Sequence, residues 1–230
     1  MEFRLLGWPA DDVLVRLDHR AYAYAGKFAM SSTGKAVALE EAGDDDSRRD
    51  PDHANHAGDA DRAGETDRER VAVDDAETFA IPDDPKQEYV APAGIVAFSE
   101  DRTDPETLWL RYVSVRRERR GEGIGPRLCS FVVDRAAERG YDRVRIAVNN
   151  AYSFEALYKV GFAWTGRETG IAELVLERPA AEPAAVDPDA YRAGLATIAA
   201  RDDVGEDERA FVERKRERGP PAVEDGSRSE

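Results

Sequence analysis

The chain has 230 residues and a mass of 25.4 kDa, enough for one domain with extensions or for two small domains, and enough to bury a core. With 41% hydrophobic and 35% charged residues it is neither a membrane protein nor a wholly disordered chain, and its apolar runs fall well short of the ~20 residues a bilayer span needs. Formal net charge is −15, but 17 acidic and 5 basic residues lie between Glu40 and Asp84, so the remainder is near neutral. The single Cys129 allows no internal disulfide and fits a reducing interior, and the opening Met-Glu-Phe-Arg-Leu-Leu-Gly-Trp-Pro lacks the basic-then-apolar pattern of a secretory signal. A cytoplasmic protein is expected. Arg outnumbers Lys by 28 to 5, a usage that suits a GC-rich, salt-adapted source or nucleotide bias alone.

Phe3 to Leu6 predicts a short strand. Trp8-Pro9 followed by acidic residues predicts a turn and helix start, with Val13, Leu14, Leu17, Tyr22 and Tyr24 as the apolar positions of one or two helices before Gly26. Ala36 to Leu39 predicts a second strand. Residues 41–70 have almost no large apolar side chain, so they cannot offset the entropy of ordering and are expected to form an acidic, mobile insertion. Val71 to Phe79 has some strand character ahead of Pro82 and Pro85.

A denser pattern follows. Gly94 to Phe98 predicts a strand, Arg102 to Glu106 a turn, and Leu108 to Val115 a long strand rich in β-branched and aromatic residues. Gly125 to Arg139 predicts a helix with Leu128, Phe131, Val132 and Ala136 on one face. Arg143 to Val148 reads as a buried strand, Ala151 to Val160 as a short helix, and Phe162 to Thr165 and Ile171 to Leu176 as two more strands. Pro179 and Pro183 mark the exit. Asp187-Pro188 opens a helix carrying Tyr191, Leu195 and Ile198, expected to dock on its own domain, and a charged helix is predicted for Glu206 to Arg218.

Chemistry concentrates in Val113-Ser114-Val115 and the turn Arg116-Arg117-Glu118-Arg119-Arg120-Gly121-Glu122-Gly123-Ile124-Gly125-Pro126. A strand runs into a bend with glycine at alternate positions, and Pro126 sits in a first helical turn, where a missing N–H costs nothing. Such a bend presents backbone N–H groups at a helix N-terminus and suits a diphosphate. The dinucleotide fingerprint fails, because the third glycine position holds Pro126 or Leu128, and Gly34-Lys35-Ala36 fails the Walker pattern. The fit is R-x-x-G-x-G, from Arg120, Gly123 and Gly125. Nine Arg between Arg116 and Arg145 make a local positive field within an acidic chain, which favours an anionic ligand over bulk nucleic-acid binding.

From Gly94 to Leu176, with a second motif Asn149-Asn150-Ala151-Tyr152-Ser153-Phe154-Glu155-Ala156-Leu157-Tyr158 ending in Gly161-Phe162, the chain resembles the GNAT superfamily of acetyl-CoA-dependent N-acetyltransferases. With its acidic, Lys-poor usage it would be a haloarchaeal-type member. The resemblance implies a mixed α/β (α+β) fold, the GNAT-like acyl-CoA N-acyltransferase fold, with a twisted mixed central sheet flanked by helices. Residues 1–179 would form the acetyltransferase domain, including the insertion at 41–70, and residues 180–230 a helical extension. Acetyl-CoA is the implied co-substrate. Its pantetheine arm would dock where two central parallel strands part, along Tyr112, Val113, Ser114 and Val115. Backbone amides across Arg120, Gly121, Glu122, Gly123, Ile124 and Gly125 would hold the diphosphate, with Arg117, Arg119 or Arg127 on other phosphates. Asn150, or its neighbour Asn149, would contact the cofactor.

The implied reaction is attack of a neutral primary amine on the thioester, on a small-molecule or peptide acceptor, with a homodimer, but neither nucleic acid nor membrane, among the implied partners. A backbone N–H near Val113 would serve the oxyanion. Tyr158 is the implied acid, its phenol protonated at neutral pH, against the alternative of a core tyrosine. The chain departs from the pattern twice. Arg111 stands where many relatives have a basic Glu, and two residues rather than three separate Tyr158 from Gly161, so Leu157 could fill the slot instead. Arg111 would suit an acceptor bearing a carboxylate. These departures keep a second reading alive, a non-catalytic acyl-CoA-binding sensor or scaffold module. Other residues read as ordinary: His19 as a helical surface residue, Cys129 as small core packing, Trp109 and Trp164 as sheet packing. His53 and His56, near Asp50 and Asp52, read as incidental rather than as metal ligands.

Overall fold

The computed structural model describes residues 1–40 and 88–223. The expected insertion at 41–70, the strand over Val71–Phe79, and His53 and His56 lie outside the described residues. Seven strands form one mixed sheet in the order β1-β2-β3-β4-β5-β7-β6, where β1 is Glu2–Gly7, β2 Gly34–Leu39, β3 Gly94–Glu100, β4 Thr107–Val115, β5 Arg143–Val148, β6 Ala163–Glu168 and β7 Leu174–Pro179. All neighbours are antiparallel except β4 and β5, which run parallel and are joined through the helix α1 (Ile124–Glu138). Such a βαβ crossover is the standard way to link parallel strands. The remaining helices are α2 (Ala151–Lys159), α3 (Pro188–Ala199) and α4 (Glu206–Arg218).

The two faces of the sheet are covered differently. On one, Leu128, Val132, Val133 and Ala136 of α1 pack on Phe98, Leu108, Leu110 and Ile146, and the same cluster continues through Phe154 and Leu157 of α2 to Tyr191, Leu195, Ile198 and Val212 of α3 and α4. These helices bury the apolar stripe that their 3.6-residue spacing predicts. On the other face, Val15, Leu17, Tyr22, Ala25 and Phe28 cover Val37, Leu39, Ile95 and Ala97. That cover is not helical, which corrects the expectation for residues 10–24. Only short 3₁₀ turns form, at Pro9–Asp11 and Ala25–Lys27. Val13, Val15 and Leu17 alternate, so the segment reads as extended chain, and it is tied back by the Val15 N–H to the Phe28 carbonyl. His19 consequently lies in an exposed turn rather than a helix.

Lys35 fixes this irregular cover from inside. Its side chain is fully buried on β2, and its ammonium donates to the carbonyls of Val13 (2.5 Å), Met30 (2.8 Å) and Thr33 (2.9 Å). Burial lowers its pKa to about 8. One further boundary differs: β7 begins at Leu174, and Ile171 sits 78% exposed in the β6–β7 turn. No described helix is long and apolar enough to cross a membrane.

The last two helices are fastened to α2 by polar ties. Glu155, 5% exposed, accepts from the Tyr191 hydroxyl and pairs with Lys215. Glu208 Oε1 accepts from the Ala151 N–H at 2.6 Å, and Arg201 donates to the Asn149 carbonyl at 2.7 Å. Tyr152 and Phe211 stack with ring centroids 4.7 Å apart.

Candidate functional site

β4 and β5 are paired only from Thr107–Leu110 against Arg143–Ile146. Leu110 lies opposite Phe98 and Tyr112 opposite Ala97, so Arg111 is an extra residue on β4, a bulge that bends the strand and ends the parallel ladder. Past it, Tyr112 to Val115 stay paired to β3 on one edge, while the edge towards β5 has no ladder partner. Val113 and Val115 pack on the α1 side, and Tyr112 packs on the loop side. Ser114 is 3% exposed, and its Oγ has no hydrogen-bond partner among the described residues.

The glycine bend follows directly. The Arg116 N–H bonds to the Ala93 carbonyl and the Arg117 N–H to the Ala21 carbonyl, which anchors the exit from β4, and a 3₁₀ turn spans Arg117–Arg119. Arg120 is extended; Gly121 (φ 89°) and Gly123 (φ 74°) are left-handed, a conformation costly for any residue with a Cβ. Gly123 is the N-cap of α1 and offers no side chain, the first turn holds no acidic residue, and Pro126 carries no N–H. Ile124, 2% exposed among Ala38 and Ala93, seats the helix start. A Cβ at Gly121 or Gly123 would meet nothing within 4 Å, whereas one at Gly125 would lie 3.5 Å from Val115 Cγ2 and 3.8 Å from Val113 Cγ1. The bend is thus open outward and close to β4 on its inner side. Its N–H groups, with the positive end of the α1 dipole behind them, make an anion cradle.

The surrounding arginines differ from the expectation for Arg117, Arg119 and Arg127. Arg117 Nε donates to the Arg20 carbonyl (3.0 Å), Arg119 pairs with Glu40 and with Glu122 (2.8 Å), and the Arg127 guanidinium lies 5.1 Å over the Phe3 ring. Arg116 is shared between Glu40 (2.6 Å) and Glu118 (2.9 Å). The Arg119 guanidinium also holds the Glu122 carboxyl below its usual pKa. Arg120 is exposed and, like Arg117 and Arg127, makes no ion pair with the described residues.

Asn150 lies immediately after β5, across the parting from Tyr112–Val115. Its Oδ1 accepts from the Ser153 N–H at 2.8 Å as the N-cap of α2, and its Nδ2 donates to Asn149 Oδ1 at 3.1 Å.

Tyr158 is placed elsewhere. It is 1% exposed, packed between Phe154 (4.9 Å) and Tyr191 (4.9 Å), and its hydroxyl accepts from the Trp164 N–H at 2.9 Å. Trp164 belongs to β6, two strands beyond β5, so the phenol points along the sheet away from the parting. Burial raises its pKa. In this structure Tyr158, expected as the general acid, stands in the core beside Phe154 and Tyr191. The shortened spacing to Gly161-Phe162 is the cause, since one residue on a helix turns a side chain by ~100°. Leu157, 4% exposed, occupies the neighbouring position.

Cys129 is fully buried and burial pushes its thiol up to about 12, which suits packing and not nucleophilic attack. Three features escaped the sequence reading: the carbonyl cage of Lys35, the ties of Arg201 and Glu208 to the start of α2, and the Tyr24 ring, which stands 6.0 Å from Tyr112 on a left-handed backbone (φ 57°). The Arg201, Glu208 and Tyr24 contacts join residues more than 50 apart, and the Lys35 cage needs Val13, 22 residues away; only the alternation of Val13, Val15 and Leu17 hinted at the non-helical cover.

Comparison with solved structures returns acetyltransferases. A nourseothricin acetyltransferase is 26% identical over 39% of this chain and 58% of its own, with a TM-score of 0.36. An N-acetyltransferase from Staphylococcus aureus Mu50 is 20% identical over 41% of this chain and 64% of its own, TM-score 0.36. A Salmonella typhimurium protein described with its cofactor acetyl-CoA is 22% identical over 44% and 65%, TM-score 0.36. The chain thus spans less than two thirds of the length of each. A comparison with curated proteins returns no match. The family described as Acetyltransferase (GNAT) matches residues 40–162, just over half the chain, taking in the bulged strand, the glycine bend, α1 and the Asn-to-Gly-Phe segment. By that match the chain belongs to the acetyltransferase (GNAT) family.

Proposed function

We propose that the protein transfers an acetyl group from acetyl-CoA to a primary amine by direct attack of the amine on the thioester. The observation that carries the reading is the continuity of the open N–H bend at Gly121–Gly125 with the unpaired edge of β4, one site long enough for a diphosphate and the arm attached to it. The residues fit such a substrate: the space outside Gly121 and Gly123 is open, and Arg120 makes no ion pair with the described residues. Tyr112, Val113, Ser114 and Val115 would hold the arm through their main chain, and Arg120 to Gly125 would hold the diphosphate. Asn150 would close the β5 side. Acetyl-CoA supplies an activated acyl group. The chain's share is to fix that group against the parted strands, to aim a backbone N–H near Val113 at the carbonyl oxygen, and to keep bulk water from the α1 side with Ile124 and Val115.

Tyr158 and Arg111 favour one rival, a non-catalytic acyl-CoA-binding sensor or scaffold, because neither an acid nor a carboxylate base stands at the expected positions. Titration calorimetry with acetyl-CoA, followed by free-CoA release across a panel of primary amines, separates the two. Micromolar binding with amine-dependent CoA release supports transfer, binding with no release from any amine supports the sensor, and no binding removes both.

A further inference from the structure

We propose that the loop-side face of the β4 bulge is the acceptor site, with Arg111 as its carboxylate anchor, so that the acceptors are apolar or aromatic amino acids. The inference rests on the acetyl-transfer reading above and adds the class of amine to it. On the α1 side the space around the parting is filled by core, so a second substrate must arrive from the opposite face. Arg111 lies on that face. Ser99 and Trp109 face each other between β3 and β4 and alternate with the core residues Phe98 and Leu110, and Arg111 Nε donates to Ser99 Oγ at 2.8 Å.

The guanidinium is hydrogen-bonded by neutral groups, and the Asp101 carboxylate acts on it only through space, from the far side of Trp109 Nε1. Besides Ser99 it reaches the Glu100 carbonyl at 3.5 Å and lies 5.2 Å over the Trp109 ring. No carboxylate of the described residues comes within ion-pair distance of it, whereas Arg116, Arg119, Arg143 and Arg145 each have at least two. An exposed arginine in ion-pair contact with no carboxylate of the described residues, in a chain of net charge −15, presents its remaining N–H fork to a carboxylate from outside. Next to it on the bulge, the Tyr112 ring stands 6.0 Å from the Tyr24 ring and 5.6 Å under the Lys27 ammonium, with Phe28 buried behind it at 6.5 Å. Tyr24 is 56% exposed, yet its bulky side chain is kept on a left-handed backbone, the kind of strain that accumulates at ligand sites. One end of the acceptor is read by a charge and its body by rings, which leaves the amine beside the unpaired edge of β4.

The probes are phenylalanine and phenylalaninamide, tested by CoA-release kinetics with saturating acetyl-CoA; because loss of the carboxylate also lowers the basicity of the amine, kcat/KM is compared per concentration of neutral amine. The wild-type protein is expected to use phenylalanine with kcat/KM at least tenfold above the amide. Arg111→Gln should erase that preference by lowering the phenylalanine value tenfold or more, with the melting temperature held within a few degrees. Arg111→Lys should fall between, since it keeps the charge and loses the fork. Equal use of the two probes, turnover of neither, or a preference that survives in Arg111→Gln would overturn the acceptor assignment while calorimetric acetyl-CoA binding leaves the cofactor site standing. A protein that binds no acetyl-CoA overturns both.

Discussion

The N-termini of α1 and α2 stand on either side of the same parting in the sheet and are finished in opposite ways. At α2, Asn150 caps the Ser153 N–H and Glu208, arriving from α4, takes the Ala151 N–H. At α1, the N-cap is Gly123, with no side chain, no acid in the first turn and open space outside. Both ends carry the same partial positive charge and the same orphan donors. One is sealed by the chain's own oxygens; the other is left for oxygens the chain does not supply. The same rule holds for carbonyls, where Val13, Met30 and Thr33 are satisfied by the buried ammonium of Lys35. Against that background α1 turns its first backbone donors to solvent beside the unpaired edge of β4.

The comparison breaks most sharply at Gly123. Gly123→Val should weaken acetyl-CoA binding by at least about thirtyfold in calorimetry, because a branched side chain would stand where the ligand must approach the backbone. It should also lose about 1–2 kcal/mol of stability from its positive φ. Gly140→Val is the control, since Gly140 has φ 90° and open surroundings at the far end of α1. It should lose similar stability and bind acetyl-CoA as the wild type does.

A middle-sized effect is expected at the sealed end. Glu208→Ala frees the Ala151 N–H and unfastens α4 from α2, costing about 1 kcal/mol, or about 2–4 °C in thermal melts. The acetyl-CoA dissociation constant should stay within about threefold. A large loss of binding with no loss of stability would reverse the roles given to the two helix ends.

The smallest effect is a slope with pH. The pKa of Lys35 is lower in the fold, at about 8, than its unfolded value near 10.5. Between those values the unfolded chain binds the extra proton, so this group's contribution makes stability rise with pH across that window. Three carbonyl acceptors favour the charged form and limit the gain to about 1 kcal/mol. Denaturant titrations from pH 7.5 to 10.5 should show the rise in the wild type and a flatter profile in Lys35→Met, which will be less stable throughout for want of its hydrogen bonds.

The sequence carried the regular elements well where local signals were sufficient. β5 and α4 have the limits that Arg143–Val148 and Glu206–Arg218 predicted, and α1 starts one residue early because Gly123, not Ile124, is its cap. The glycine bend was legible for the same reason: its conformation demands particular residues at Gly121 and Gly123. Residues 12–24 were misread because apolar content was taken for helical period, when β2 and β3 had an exposed face to be covered by extended chain. Tyr158 was misread because a motif letter was carried across a one-residue difference in spacing that rotates the side chain into the core. The ties from Arg201, Glu208 and Lys215 to α2 could not be read locally, since each joins residues about 50 or more apart in the chain.

The bulge at Arg111 is a matter of parity as well as of shape. Strand side chains alternate, so an added residue shifts everything after it by one place, and here it brings Arg111 and Tyr112 to the same face and hands Val113 and Val115 to α1. Excising that one position would turn the end of the strand inside out: Ser114 would be pressed against the helix start and the two valines against Tyr22 and Phe28. A single added residue thus decides which face of the sheet each side chain at the end of the strand meets.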